Sequence, residues 1–269
     1  MTSSTHFRRR AWLSGAMVLA ATVAVVLAVT GGEARASHLS CGDTITADTT
    51  LDSDLLDCPN VGIFIGADDV TLDLNGHTIG GDGTPTAGCD PQKEFCDEGV
   101  SSLGHDRVTV MHGSVREFDD GVAMGKARHA RVLGISSSDN RFAAILVGRS
   151  TQSLVRNSSG SGSTARHGGT GMFLVADHHV RILNNSFTRN GDTGIFASDS
   201  PHNLIKKNLV KRNTTGMLLE GSSATKLTRN RAIRNGELGI QAGRGVIDGG
   251  GNIARHNGDP RQCVNVACH

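Results

Sequence analysis

The chain has 269 residues, of which 37% are apolar but only 3% aromatic, with one Trp and no Tyr. Basic and acidic side chains nearly balance, 27 against 26, which excludes a polycation built for nucleic acid and a disordered polyelectrolyte. The 35 glycines follow no three-residue period and Pro is only five, which excludes collagen; a single long uncharged apolar run excludes a multi-pass membrane protein.

That run, Ala11 to Thr30, follows Arg8-Arg9-Arg10 and precedes Ala34-Arg35-Ala36. A basic n-region, an apolar h-region and an A-x-A site predict a secretory signal over 1–36, cleaved before Ser37. The alternative is an uncleaved anchor, since the run is nearly long enough to span a bilayer. Arg9-Arg10-Ala11-Trp12-Leu13 also resembles a twin-arginine export signal, with Arg8 where Ser or Thr is usual. All six cysteines follow the signal, and an even count in an exported chain implies disulfides. Their clustering in sequence-local couples favours Cys41–Cys58, Cys89–Cys96 and Cys263–Cys268. Zinc is the rival reading, although no C-x-x-C is present.

Beyond residue 60 the chain repeats itself. Gly62, Gly99, Gly121, Ala143, Gly171, Gly194, Gly216 and Gly239 open units 22–23 residues long, with insertions in two of them. The next residue is always apolar: Ile63, Val100, Val122, Ala144, Met172, Ile195, Met217 and Ile240. Fourteen residues after the opener come Asn157, Asn185, Asn208 and Asn230; nineteen after it come Asn140, Asn190, Asn213 and Asn235. A period in the twenties indicates a solenoid. Leucine-rich repeats need more Leu per unit, and hexapeptide arithmetic gives about 18 residues per coil, so a left-handed β-helix does not fit. The pattern predicts an all-β right-handed parallel β-helix of about eight coils, roughly 4.8 Å apart. Its Asn would sit in turns in the left-handed conformation and pass amide hydrogen bonds along the stack. The predicted organisation is a cap over 37–61, the repeat domain over 62–258 and a disulfide cap over 259–269.

Val70-Thr71-Leu72-Asp73-Leu74-Asn75-Gly76-His77-Thr78-Ile79, followed by the repeated I/L-x-x-N, resembles secreted bacterial right-handed β-helix repeat proteins of the pectate-lyase-like superfamily. The resemblance covers about residues 45 to 269. It implies the fold and a place among lyases, hydrolases, epimerases and copper-maturation proteins, but fold does not decide function. Of the polygalacturonase-type motifs only Asp119-Asp120 matches. Mannuronan epimerases need a Tyr motif that this chain lacks.

Asp97-Glu98 and Asp119-Asp120 precede successive openers at equal offset, so stacking brings four carboxylates together. Such a patch suits Ca²⁺ or acid/base chemistry; the alternative is a solvated acidic turn. By resemblance to calcium-dependent lyases, Arg116 is the candidate base. His129, His179 and His202 share a turn position and form an alternative set for a transition metal. Charge also separates along the chain: residues 41–120 hold 17 Asp or Glu against three Lys or Arg, and residues 181–234 hold ten basic against three acidic. Arg189, Arg212 and Arg234 share one offset and Arg156, Lys207 and Arg229 another, so both sets form ladders and together a groove for an anionic polymer.

These readings predict an exported monomeric β-helix protein that binds an anionic or cell-wall polysaccharide or serves as a structural surface module. It would bind neither nucleic acid nor, once its signal is cleaved, membrane, and Ca²⁺ is the one cofactor considered. The alternative function is a polysaccharide-active enzyme, a lyase or hydrolase of acidic glycans, using the four carboxylates.

Overall fold

The computed structural model describes residues 35–85, 97–163 and 169–269. The predicted signal, up to residue 34, and the Cys89–Cys96 couple lie outside them. From residue 35 onward the described chain is a right-handed parallel β-helix with three short strands per coil and no helix. First strands, such as Thr193–Ser198 and Thr215–Glu220, stack into one parallel sheet of ten. Second and third strands, such as Leu204–Lys206 and Leu209–Lys211, stack into a sheet of 17. Thr109–Arg116 and Arg131–Ser138 each run through both positions as a single strand.

Stacking puts like on like. Ile63, Val100, Val122, Ile145, Met172, Ile195, Met217 and Ile240 form one inward column in strict register, each 0% exposed. Burying such a side chain fully contributes about 1.5–3 kcal/mol, so the column alone is a large part of the driving force. The opener must be small because the neighbouring coil approaches it closely. A Cβ on Gly194 would lie 2.6 Å from the Gly216 carbonyl oxygen.

The register corrects one unit of the sequence reading. Asp120 pairs with Ala143 and Val122 with Ile145, so Ala144, not Ala143, stands opposite Gly121. Ala144 is accommodated because Gly160 faces it: a Cβ on Gly160 would lie 2.7 Å from the Ala144 methyl. A one-residue slip exchanges inward and outward positions. Leu154 therefore moves to the outer face and Val155 becomes the core residue. Ser158, not Asn157, takes the ladder position, its N–H donating to Asn185 Oδ1 at 2.9 Å.

Nine coils form where eight were expected. Asp43–Ile45 pairs with Ile63–Ile65 and Thr49–Leu51 with Thr71–Asp73, so the segment assigned to the cap is itself a coil. Gly62 follows Gly42 by 20 residues, too short to match the repeat, although Gly42 N–H still donates to the Gly62 carbonyl at 2.8 Å. The Cys41–Cys58 bridge clamps this coil. At the other end the Cys263–Cys268 bridge forms, Ala267 N–H donates to Asp248 Oδ2 at 2.9 Å, and Gln262 Oε1 accepts from Asn257 and terminates the ladder.

The ladders run, but their Asn are not the left-handed residues. Positive φ belongs to the residue before each Asn: Asn184 (57°), Lys207 (58°) and Arg229 (54°) at one corner, Arg189 (58°), Arg212 (58°) and Arg234 (56°) at the next. The corner residue turns the chain outward into solvent. The following Asn then points inward, where its amide is sequestered and must find partners in the stack.

Candidate functional site

Three groups of side chains stand out on this scaffold. The first is the carboxylate cluster, which the structure brings together as the offsets predicted. Glu98 pairs with Asp120 in strand register, and Asp119 N–H donates to the Asp97 carbonyl at 2.8 Å. The cluster is not a solvated turn, however: Asp97, Glu98, Asp119 and Asp120 are all 3% exposed or less.

Arg141 explains how two of these charges are tolerated. Its NH2 donates to Asp97 Oδ2 at 2.5 Å and to the Thr84 carbonyl at 3.1 Å, while its Nε donates to Asp119 Oδ1 at 2.7 Å. The sequence held a signal for this residue. Asp119 follows Asp97 by 22 residues, and Arg141 is a further 22 on.

Burial dominates the pKa values of the cluster. It pushes Asp97 up to about 6 against the pull of Arg141. Glu98 is pushed up to about 7, burial again outweighing a hydrogen bond from Ser101. Asp120 rises well above the carboxylate range through burial and then the Glu98 charge opposite it. Oδ1 of Asp97, Oε1 of Glu98 and Oδ1 of Asp120 have no hydrogen-bond partner. The Arg141 guanidinium thus stands as a cation between Asp97 and Asp119. Among the described residues no three His, Cys, Asp or Glu side chains form a metal-binding group.

Arg116 does not join the cluster. Its guanidinium bonds Glu117 Oε2 at 2.5 Å, and both side chains are 40% exposed. His179 and His202 stack at the first corner of adjacent coils, ring centroids 5.6 Å apart and 12° from parallel. His129 lies two coils from His179, and all three are exposed.

The second group is aromatic, and sequence reasoning missed it. Phe173 and Phe196 pair on the outer face of the first-strand sheet and stack at 5.2 Å, 11° from parallel. Phe142, beside Arg141, meets Phe173 edge-on at 5.5 Å. The 23-residue spacing of Phe173 and Phe196 was the available signal.

The third group is basic. Arg189, Arg212 and Arg234 occupy one corner on consecutive coils, and Lys207 and Arg229 the preceding corner. All five are exposed at the chain's outward turns, and among the described residues none of the five pairs with a carboxylate. The third strands lie between the two corners, with Lys211 and Arg231 in them. Arg156 leaves its expected ladder. It pairs with Leu183, which pairs with Lys206, so it lies on the second-strand face one position before the Lys207 corner.

Residues 98–258 match the family described as "Right handed beta helix region". Two solved structures share the fold: pectate lyase Pel9A, 16% identical with a TM-score of 0.50, and the periplasmic alginate epimerase AlgG, 16% identical with a TM-score of 0.51. Each alignment covers 80% of this chain, which spans only 57% and 60% of the respective structures. No curated protein matches the sequence.

Proposed function

This chain belongs to the right-handed beta helix family, and we propose that it is an exported protein that binds an acidic polysaccharide along the corner columns Arg189–Arg212–Arg234 and Lys207–Arg229. The observation that carries this reading is the repetition of one exposed, carboxylate-free cation on consecutive left-handed corners. Like charges stacked about 4.8 Å apart repel by roughly 0.9 kcal/mol even in water, and a bound polyanion relieves that repulsion. Two fold neighbours bear the names of enzymes of pectate and alginate, which agrees with a glycan partner. The two disulfides and the absence, among the described residues, of any helix able to cross a membrane are compatible with an extracytoplasmic protein.

A pull-down on an acidic-polysaccharide resin tests the reading. Retention should fall as salt shortens the Debye length from about 10 Å at 0.1 M. Arg212→Ala should weaken it most, since Arg212 is the middle rung, and should leave the fold intact. Retention that ignores both salt and this substitution would sink the proposal.

A second reading, glycan cleavage, is favoured by one observation: Glu98 and Asp120 pair on adjacent coils next to Asp97 and Asp119, which Arg141 bridges, a grouping of carboxylates of the kind acid/base cleavage uses. Release of reducing ends from uronate polymers, abolished by Glu98→Gln, is its test.

A further inference from the structure

The outer face of the second strands carries a pattern that polysaccharide binding at the corners does not use. Five consecutive coils place Arg131 beside Leu133, Leu154 beside Arg156, Arg181 beside Leu183, Leu204 beside Lys206, and Lys226 beside Thr228 as the outward residues. Strand register stacks them as Arg131–Leu154–Arg181–Leu204–Lys226 in one column and Leu133–Arg156–Leu183–Lys206–Thr228 in the other. Cations and leucines thus alternate both along and across the strands, as on a checkerboard. The segments 131–134, 154–157, 181–184, 204–207 and 226–229, which form this face and its far corner, contain no Asp or Glu.

Alternation has a structural benefit. It separates neighbouring cations to about 8 Å, from a rise of about 4.8 Å and a two-residue step of about 6.6 Å, and lets their stems cover the leucines. That accounts for the spacing but not for the missing counter-charges. Earlier coils of the same molecule balance their corner arginines across coils: Arg107 bonds Asp69, and Arg128 NH2 lies 2.7 Å from Asp106 Oδ2. Among the described residues the checkerboard has no such partner, although a carboxylate opposite each cation would stabilise the sheet. Its four leucines are half-buried, so apolar surface reaches solvent between the charges.

The shape of the array selects the partner. A single polymer chain following either column would meet a leucine or threonine at every second coil, whereas a planar anionic surface meets all five cations together. We propose that this face rests on a bilayer rich in anionic phospholipid, its cations against phosphates and its leucines at the headgroup boundary. This is peripheral contact, involves no spanning segment, and departs from the sequence expectation that the cleaved chain binds no membrane. It does not depend on the corner columns.

The test is co-sedimentation of the protein recovered after export, with vesicles of mixed phosphatidylglycerol and phosphatidylcholine or of phosphatidylcholine alone. Comparing lipid charge isolates this face from any uncharged apolar attraction. Binding should need the anionic lipid and weaken at about 0.5 M salt. The triple variant Arg131→Gln, Arg156→Gln, Arg181→Gln should lose about a hundredfold in affinity, at roughly fivefold per cation near the surface. Leu154→Ser with Leu183→Ser should weaken binding while keeping its salt dependence, and Arg212→Ala should bind vesicles as wild type does. Thermal melts of all variants separate lost binding from lost fold. Equal binding to both vesicle types, or a folded triple variant that binds like wild type, overturns the proposal. So does a triple variant that loses acidic polysaccharide but keeps its vesicles, which would make this face a polymer site.

Discussion

Asn213 Oδ1 accepts two hydrogen bonds from Asn190, one from its backbone N–H at 2.9 Å and one from its side-chain amide at 3.1 Å. Asn213 repeats the gesture toward Asn235, donating to its Oδ1 at 3.1 Å and 3.3 Å, and gives a further bond to the Phe187 carbonyl. Every rung is therefore both donor and acceptor, and a break anywhere leaves buried groups on both sides. Asn213→Ala should lose about 3 kcal/mol or more, since each stranded buried polar group costs about 1–3 kcal/mol. Urea unfolding measures it. The loss should exceed that of Asn257→Ala at the end of the ladder, and equal losses would show that the chain of bonds is not what matters.

Arg141 is the one charge compensating Asp97 and Asp119 among the described residues. Arg141→Gln should destabilise strongly near neutral pH and much less near pH 5. The sign follows from linkage. Burial raises the folded-state pKa of Asp97 to about 6 and of Glu98 to about 7, so what they contribute is complete below about pH 4 and is lost as pH rises through those values. Removing the guanidinium raises Asp97 further and widens that window. Melting temperature against pH checks it; parallel profiles for wild type and variant would refute the assignment.

Asp177 interrupts a run of serines, Ser150, Ser200 and Ser222, at one corner of the stack and is fully buried. Burial pushes its pKa up to about 8, although Ser150 N–H and Val175 N–H both donate to it. Its contribution is complete below its unfolded value near 4 and declines as pH rises toward 8. Asp177→Ser should flatten the stability profile between about pH 4 and pH 8 and stabilise the protein at the upper end. Calorimetry over that range measures both effects, and a profile unchanged by the substitution would show that Asp177 is not the titrating group.

The two bridges should differ in strength. Cys41–Cys58 closes 17 residues and Cys263–Cys268 only five, which by chain entropy gives about 3 and about 2 kcal/mol. Replacing Cys41 and Cys58 by Ser should expose the amides of Asp43–Ile45 and Thr49–Leu51 to hydrogen exchange before the rest of the stack. Uniform loss of protection would mean that the first coil does not unfold separately.

The architecture was legible in the sequence because a solenoid writes its period into the chain. The Gly–apolar pairs from Gly171 onward, and Asn190, Asn213 and Asn235, occupy the predicted columns, and the spacing of Asp97 from Asp119 foretold that their coils bring them together. What the sequence did not reveal was register within one unit and the surroundings of each side chain. Ala143 and Ala144 are equally apolar, and only pairing with Asp120 and Val122 shows which faces the core; Leu154 and Arg156 change places with that choice. Whether four carboxylates are solvated or buried, and which cation answers them, likewise depends on coils stacked a period apart. Local propensity and spacing carry the period, because neighbours in a coil are neighbours in sequence. Burial, charge compensation and the pairing of Arg141 with Asp97 are long-range contacts, decided only when the coils stack.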